Sequence, residues 1–252
     1  MSDGNFVDKV VDNLAGPLSK SVGQSIADVW DGTLGIRASY FKKRQNLKQE
    51  KNFEKFKEEM LEEVSKIPAE NQVEPNYQIA SQALENAVYC LDSDELRTMF
   101  VKLLGKTCNR NDQSLLHPSY PDIIKQMSPL DARMLIMLKR ERETTPLVYY
   151  IAKKENSSDF EVCQRNIILH DRINADDFHI SMSISALQRW GIINVNMQNH
   201  FTDSSVYAPF LKTELYRSLE KEHAQYGQII ELQKGVCEVT SFGRAFMHCC
   251  VI

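Results

Sequence analysis

The chain has 252 residues, enough for one large domain or two smaller ones that each bury an ordinary core. Its 42% hydrophobic and 25% charged residues are typical of soluble globular proteins, which excludes a disordered or fibrous chain. The net charge of −4 gives no overall attraction to nucleic acid or anionic lipid, so binding to either would require a local basic patch.

The sequence also predicts a compartment. Its six cysteines form no CxxC pair, and the N-terminus carries no secretory signal. No run of eighteen apolar residues occurs, so a simple membrane-spanning helix is not expected. We therefore expect a cytoplasmic protein with reduced thiols, with peripheral association at the inner membrane as a further expectation from its N-terminal region.

The first 36 residues predict an amphipathic helix. Its apolar face consists of residues spaced by three or four, namely Val7, Val11, Leu14, Leu18, Val22, Ile26 and Val29. Small residues spaced by four form a second pattern, the helix-association strip, which consists of Ala15, Ser19, Gly23 and Ala27. Such a strip lets another backbone approach closely. It is compatible with self-association or membrane insertion, although close packing within one soluble fold is the simpler interpretation.

Three further helices are predicted between residues 37 and 104. Residues 37–66 favour a long surface helix, basic at first and then rich in Glu. A solvated face explains these charges better than a phosphate-binding or lipid-surface role. Two helices follow, one ending near Asp92 and the next starting with a capping box formed by Asp92 and Glu95. We expect these two to pack as an antiparallel pair.

Residues 117–135 predict two helices joined by a sharp corner. Ser119 with Asp122 and Ser128 with Asp131 each have the spacing of a helix cap. Pro121 and Pro129 fit the first turn of each helix, where a missing N–H is not needed. The local sequence therefore predicts two capped helix starts in close succession.

This stretch resembles the abortive infection alpha family, in which a His-Pro-Ser-aromatic start leads through a short helix to Ser-Pro-Leu-Asp-Ala. The matching residues are His117, Pro118, Ser119, Tyr120, Ser128, Pro129, Leu130, Asp131 and Ala132. A second match at residues 239–250 has a strand, a Thr cap, Phe-Gly and an Ala-Phe helix, carried by Thr240, Phe242, Gly243, Ala245 and Phe246. A looser match lies at residues 187–193, and the similarity extends over most of residues 15–250. The resemblance implies a bacterial or prophage-borne protein of phage defence, and it implies no known chemistry.

The C-terminal half predicts a winged-helix-like region. Residues 178–191 favour a helix ended by Gly191, and the strand 192–195 follows it. A helix from Phe210 to about Ala224 precedes a hairpin whose strands, 229–232 and 236–239, flank Lys234 and Gly235. Nucleic-acid binding is not favoured, because Arg189 is the only basic residue of the candidate recognition helix.

No enzyme motif accompanies these elements. The sequence contains no HExxH, GxSxG, P-loop or GxGxxG, and its six histidines are scattered. His117 could be a general base because it lies in the family stretch, but a His-Pro turn that supports two helices explains it better. We therefore expect no catalytic site, no metal and no cofactor.

Together these patterns predict a mainly α protein with a small β component, helical at its N-terminus and winged-helix-like at its C-terminus. The predicted divisions are residues 1–36, 37–115 and 116–252. The first function hypothesis is a phage-defence interaction or effector protein that acts through association of its N-terminal helix or through membrane perturbation. The alternative is a nucleic-acid-binding regulator. Expected partners are another protein or a second copy, with the membrane surface next.

Overall fold

A computed structural model describes residues 47–140, 144–155, 158–169 and 173–251, together with Ser25, Asp28 and Val29. These residues are mostly helical and include an antiparallel sheet of four strands, which confirms the predicted mainly α composition with a smaller β part. The helix-association strip of Ala15, Ser19, Gly23 and Ala27 lies outside the described residues. Among the helices of the described ranges, none combines the length and apolar character needed to cross a bilayer.

The chain divides into two compact units. Unit 1 comprises residues 1–132 and 245–252, and unit 2 comprises residues 133–244. The divisions expected from the sequence after residues 36 and 115 remain predictions.

Unit 1 is built from helices that bury apolar stripes. Helix α1 turns Phe56, Met60 and Val64, spaced by four, into the core and contacts α3. The remaining helices of this region are short, and 3-10 segments at Ala69–Asn71 and Arg110–Leu115 link some of them. The α-helices in chain order are α1 (Leu47–Ser65), α2 (Tyr77–Ala87), α3 (Asp94–Thr107) and α4 (Tyr120–Gln126). Helix α5 (Pro129–Arg140) follows, and it begins in unit 1 and continues into unit 2.

The predicted helix pair is present, with a corrected start. Helices α2 and α3 contact each other, and α3 begins one residue later than the predicted capping box requires. Ser93, rather than Asp92, is the cap, and its Oγ accepts the Leu96 N–H at 3.3 Å. Serine and aspartate are both good caps, so composition alone does not distinguish neighbouring positions.

Unit 2 contains the sheet. Its strands are β1 (Thr144–Lys154), β2 (Phe160–Ile167), β3 (Ile193–Asn196) and β4 (Gln228–Val239), in the order β2-β1-β4-β3. Helix α6 (Asp177–Arg189) contacts β2 and β3, and α7 (Glu214–Ala224) contacts β4. The chain then enters α8 (Ser241–Cys250). Alternate residues of β1 face a core cluster that comprises Val148, Tyr150, Ala152, Ile167, Tyr207, Phe210 and Ile230.

The predicted helix-to-strand hinge of unit 2 is confirmed. Helix α6 ends at Arg189, Gly191 has a φ of +72°, and β3 begins at Ile193. The predicted helix from Phe210 starts later than expected, because a 3-10 segment covers Ser204–Lys212 and Thr213 caps α7. Phe210 belongs to that 3-10 segment and is fully buried.

The predicted hairpin around Lys234 and Gly235 is wrong. Strand β4 continues through both residues and pairs with β1 from Gln228 to Glu238. A Cβ on Gly235 would lie 2.8 Å from the carbonyl oxygen of Asn196, so this glycine permits close approach of β3. Lys234 and Gly235 resemble a turn in sequence, but in the structure the glycine lies within β4 and serves close packing.

Candidate functional site

The first family block places His117 and Ser119 in a local turn of unit 1. The Ser119 N–H donates to His117 Nδ1 at 3.2 Å, and Ser119 Oγ lies 2.7 Å from the same nitrogen. Ser119 occupies the N-cap position of α4, as predicted, but the predicted side-chain cap is wrong, since the Ser119 side chain bonds no helix amide. Its backbone is already helical at φ −77° and ψ −12°, whereas a capping side chain normally stands on an extended residue. Asp122 instead accepts the Asn86 amide at 2.9 Å, which ties α4 to α2.

Tyr120 is the buried anchor of this block. Its hydroxyl donates to the Leu115 carbonyl at 3.1 Å, and its ring meets Phe246 edge-on with centroids 5.1 Å apart. Burial raises the pKa of Tyr120 well above its ordinary value. Phe246 belongs to the second family block, so the two blocks contribute to one core within unit 1.

The second predicted cap of the first block is confirmed. Ser128 N–H and Oγ donate to Asp131 Oδ2 at 2.7 and 2.8 Å, and the Asp131 N–H donates back to Ser128 Oγ at 3.2 Å. This is a reciprocal capping box at the start of α5. Pro129 opens the helix, Ala132 is buried and Leu130 is half-buried. Pro118, in contrast, is exposed.

The second family block forms a tight junction in unit 2. Thr240 Oγ1 donates to the Gly191 carbonyl at 2.6 Å and accepts the Gly243 N–H at 2.8 Å, which confirms the predicted Thr cap. A Cβ on Gly243 would lie 2.0 Å from the Ile192 carbonyl oxygen. Phe242, which precedes Gly243 on α8, is half-buried. The block therefore locks the start of α8 against the turn that follows α6.

An ionic cluster in unit 1 surrounds Asp112, which is 5% exposed. Its two carboxylate oxygens contact His248 Nε2 at 2.6 Å and Lys106 Nζ at 3.1 Å, and Asn109 donates to it at 2.7 Å. Burial acts to raise the pKa of Asp112, but hydrogen bonds from His248 and Lys106 outweigh burial and the pKa is lowered. Sequence reasoning missed this pair, because 136 residues separate Asp112 from His248.

The neighbouring Cys249 does not extend that cluster into a nucleophilic site. Its side chain is fully buried, and its Sγ donates to the Leu115 carbonyl at 3.7 Å. Burial raises the pKa of the Cys249 thiol to about 11, and the nearby Asp112 carboxylate acts in the same direction. A thiol is a nucleophile only as its thiolate, so Cys249 is not a candidate nucleophile. Its burial and its contact with the Leu115 carbonyl instead help to hold α8 in place.

The strongest chemical constellation lies in unit 2 and joins Cys163, His223 and Gln228. His223 Nε2 lies 3.5 Å from Cys163 Sγ, and His223 Nδ1 lies 2.7 Å from Gln228 Oε1. Cys163 belongs to β2, His223 to the last turn of α7, and Gln228 is the first residue of β4. A nucleophile, a base and a group that orients the base are the three elements of an activated nucleophile. We call these residues the Cys163 triplet.

Local irregularity of β2 places Cys163 in this position. Ile151 pairs with Val162 while Tyr150 pairs with Gln164, so Cys163 is an extra residue in the strand. A bulge of this kind redirects a side chain and is common beside functional sites. No sequence motif marks it, since Cys163 lies in a stretch without recognisable pattern and 60 residues before His223.

Metal binding receives no support from side-chain grouping. Within the described ranges, no three His, Cys, Asp or Glu residues are arranged to hold a metal ion. Asp176 and His179 instead interact at the start of α6, where Asp176 accepts the His179 N–H at 2.9 Å as a helix cap. His170 and Asp171, which precede them closely in the sequence, lie outside the described residues.

The architecture is that of a helix-rich protein with an antiparallel sheet, in which the two motif blocks form caps and packing contacts. A sequence profile described as abortive infection alpha matches residues 48–250. The chain belongs to this family, as the motif resemblance predicted. Neither a curated protein nor a solved structure matches the chain.

Proposed function

We propose that this chain is a phage-defence protein of the abortive-infection type that acts as an interaction or effector protein and not as an enzyme. Family membership over residues 48–250 supports the biological setting. The observation that carries the non-catalytic part is the engagement of the family-pattern residues in architecture. Ser128 and Asp131 cap α5, Tyr120 is a core anchor, and Thr240 caps α8.

That engagement matters because catalytic groups need access to a substrate. Tyr120 is buried with its hydroxyl bonded to a backbone carbonyl, and Asp131 is 5% exposed in its capping box. Buried packing contacts and helix caps of this kind stabilise the fold and do not by themselves indicate a chemical reaction. A scaffold that recognises a partner protein, or a second copy of itself, is the function we infer from this arrangement.

The N-terminal helix is the proposed effector segment. Its support is the sequence pattern alone, in which Ala15, Ser19, Gly23 and Ala27 leave a strip for close helix contact. We propose that the strip mediates self-association or acts at the surface of the inner membrane once infection is sensed. Localisation in the cytoplasm, peripheral to that membrane, belongs to the same proposal.

The test is expression of the full chain, and of a chain lacking residues 1–36, in a bacterial host from a controlled promoter. Phage plating, host growth and membrane potential are measured together. We expect the full chain to reduce plating and the truncated chain to lose this effect. Unchanged plating with both chains would contradict a self-sufficient effector.

A matched pair of substitutions tests the strip itself. The Gly23→Leu and Ala27→Leu pair fills the strip. Ser21→Leu adds the same side chain on another face of the predicted helix, about 160° from Gly23 at 100° per residue. We expect the double variant to lose protection and Ser21→Leu to keep it. Retention of protection by a folded double variant would remove the strip from the mechanism.

Nucleic-acid regulation by a winged-helix-like C-terminal part is the second proposal. Its support is the sequence of α6, the Gly191 turn and β3 paired with β4. The charge of α6 disfavours it, because Arg189 lies over the Trp190 ring at 5.4 Å and Asp176 and Asp177 stand at the helix start. A salt-dependent mobility shift with DNA or RNA would support this proposal, and its absence up to high protein concentration would reject it.

A further inference from the structure

Cys163 differs from the other cysteines in its access to solvent. It is half-buried at the β2 bulge, whereas the remaining five are buried at 6% exposure or less. The buried cysteines are Cys90, Cys108, Cys237, Cys249 and Cys250. Among the chain's thiols, Cys163 is therefore the one that a small reagent can reach without opening a core.

The hydrogen bonds of the triplet fix the protonation pattern of its imidazole. With the Gln228 side-chain oxygen as acceptor at 2.7 Å, His223 Nδ1 must carry the proton. His223 Nε2 is then an acceptor, and it lies 3.5 Å from Cys163 Sγ. The alternative acceptor for the thiol, the Glu161 carbonyl, is more distant at 3.9 Å. In this tautomer His223 Nε2 is placed to accept the proton of the Cys163 thiol.

We propose that Cys163 is a covalent modification site for small uncharged carbon electrophiles, with His223 as its general base. The inference is independent of the defence role, since it rests on the geometry of unit 2 alone. It adds a reactive position to a protein whose motif residues are engaged in packing.

The chemistry balances without an oxidant or a metal. With an activated alkene, the Cys163 sulfur forms a bond to the β-carbon while the S–H proton passes to His223 Nε2. The electron pair of the C=C bond moves to the α-carbon, which then takes that proton from His223. The product is a thioether, and the imidazole returns to its starting tautomer.

Charge around the sulfur defines the class of reagent. Burial raises the pKa of the Cys163 thiol, and the carboxylates of Glu161 and Glu222 add to this effect. The resting group is therefore a thiol, and its reaction depends on transfer of the proton to His223 rather than on a standing thiolate. The same two carboxylates repel anionic reagents, so a neutral electrophile is favoured.

The probe is iodoacetamide, used on the folded full-length chain, with the labelled peptide identified by mass spectrometry. Carbon–sulfur bond formation then releases iodide, and the thiol proton leaves through His223. We expect Cys163 to label first, at a rate that does not rise tenfold per pH unit in alkaline solution, because His223 rather than hydroxide takes the thiol proton. His223→Gln should slow labelling about a hundredfold at pH 7.5, within the usual range for a general base. Gln228→Leu should slow it by a smaller factor, because the imidazole loses its fixed tautomer.

Controls separate this role from accessibility and folding. His200→Gln changes an exposed histidine outside the triplet and should leave the rate unchanged. Cys163→Ser should abolish the fast label, and melting temperatures show whether each variant is folded. If a folded His223→Gln labels as fast as the parent, or if the parent rate climbs tenfold per pH unit through pH 9, the proposal is overturned.

A second arm tests the reagent class with iodoacetate, the anionic analogue of iodoacetamide. Relative to their rates with free cysteine, iodoacetate should label Cys163 more slowly, and Glu222→Gln should narrow the difference. Equal relative rates for the two reagents would overturn the preference for uncharged electrophiles.

Discussion

The two units differ in how they satisfy their buried polar groups. The buried charged residues of the described ranges are Arg97, Asp112 and Asp131, and all three belong to unit 1. Unit 2 buries uncharged polar residues instead, among them Asn166 and Ser183, and its tyrosine hydroxyls bond backbone carbonyls. Removing one partner of a buried charge leaves the other unpaired, whereas losing a neutral contact costs less.

Arg97 illustrates the ionic type. This side chain is 3% exposed, donates to Glu59 on α1 at 2.9 Å and to the Leu91 carbonyl at 3.2 Å, and also contacts Asp94. One guanidinium thereby links α1, the turn that contains Leu91, and α3. In unit 2, neighbouring segments are instead held by close packing of backbone on backbone. Gly243 lies against the Ile192 carbonyl and Gly235 against the Asn196 carbonyl. The comparison teaches that unit 1 should be the more sensitive to acid pH and unit 2 the more sensitive to added side-chain volume.

The largest effect is expected from Gly243→Ala in unit 2. The new Cβ would lie 2.0 Å from the Ile192 carbonyl oxygen, so α8 or the turn after α6 must move. We expect the free energy of unfolding to fall by about 3 kcal/mol, the upper part of the usual range for overpacking. Urea unfolding followed by hydrogen exchange at peptide resolution would measure the loss and assign it to unit 2.

Gly191→Ala is the matched control for this steric argument. Gly191 has a φ of +72°, but a Cβ there meets no atom within 4 Å. Its cost is therefore conformational, about 1 kcal/mol. Equal losses for both glycine variants would contradict the claim that close approach to Ile192 explains Gly243.

Local sequence predicted the elements whose signals are short-range. The Ser128–Asp131 capping box, the Gly191 helix end and the Thr240 cap depend on neighbours within a few residues, and all three are present. Gly235 does not follow its local signal, because a glycine in a turn and a glycine packed against a neighbouring strand look alike in one sequence. Strands β1 and β2 were missed, since their pairing connects segments without a distinctive alternation.

The candidate chemistry could not have been predicted for the same reason. Cys163 and His223 meet only because β1 pairs with both β2 and β4, and α7 packs on β4. The bulge that presents Cys163 depends on strand register, which no local motif encodes. Asp112 and His248 likewise meet through the return of the C-terminal helix to unit 1.

An intermediate effect is expected from Asp112→Asn in unit 1. The variant weakens hydrogen bonds from His248 and Lys106 to a buried carboxylate, and we expect a loss of about 2 kcal/mol at pH 7. Asp92→Asn removes an exposed carboxylate that contacts Lys48, and it should change stability by less than about 0.5 kcal/mol. Hydrogen exchange in α3 and α8 would report the loss within unit 1.

The pH dependence of this variant sharpens the comparison between the units. Because the pKa of Asp112 is lowered below its usual 3.8, its stabilisation is present above about pH 4 and is lost as pH falls through the lower folded-state value. Asp112→Asn should therefore lose less stability than the parent between pH 4 and pH 2. An unchanged acid slope in the variant would show that Asp112 does not account for the acid sensitivity of unit 1.

The smallest effect is expected from Tyr150→Phe in unit 2. The Tyr150 hydroxyl donates to the Phe210 carbonyl at 2.8 Å and lies 2.9 Å from Thr213 Oγ1, so its loss should cost about 1 kcal/mol at pH 7. Burial raises the pKa of Tyr150 to about 12, although the Thr213 hydrogen bond acts in the opposite direction. The contribution is therefore complete below pH 10 and is lost as pH rises toward 12.

At acid pH, the free energy of unfolding of Tyr150→Phe should therefore change with pH as steeply as that of the parent. Above pH 10 it should fall less steeply than that of the parent. Tyr149→Phe provides the control, because Tyr149 is only half-buried and its ring contacts Arg165 at 5.6 Å, a contact that phenylalanine keeps. Hydrogen exchange of β1 and β4 across this pH range measures both variants. An acid-dependent loss in Tyr150→Phe would mean that a charged group also supports the unit 2 core, and the division into an ionic and a neutral unit would then fail.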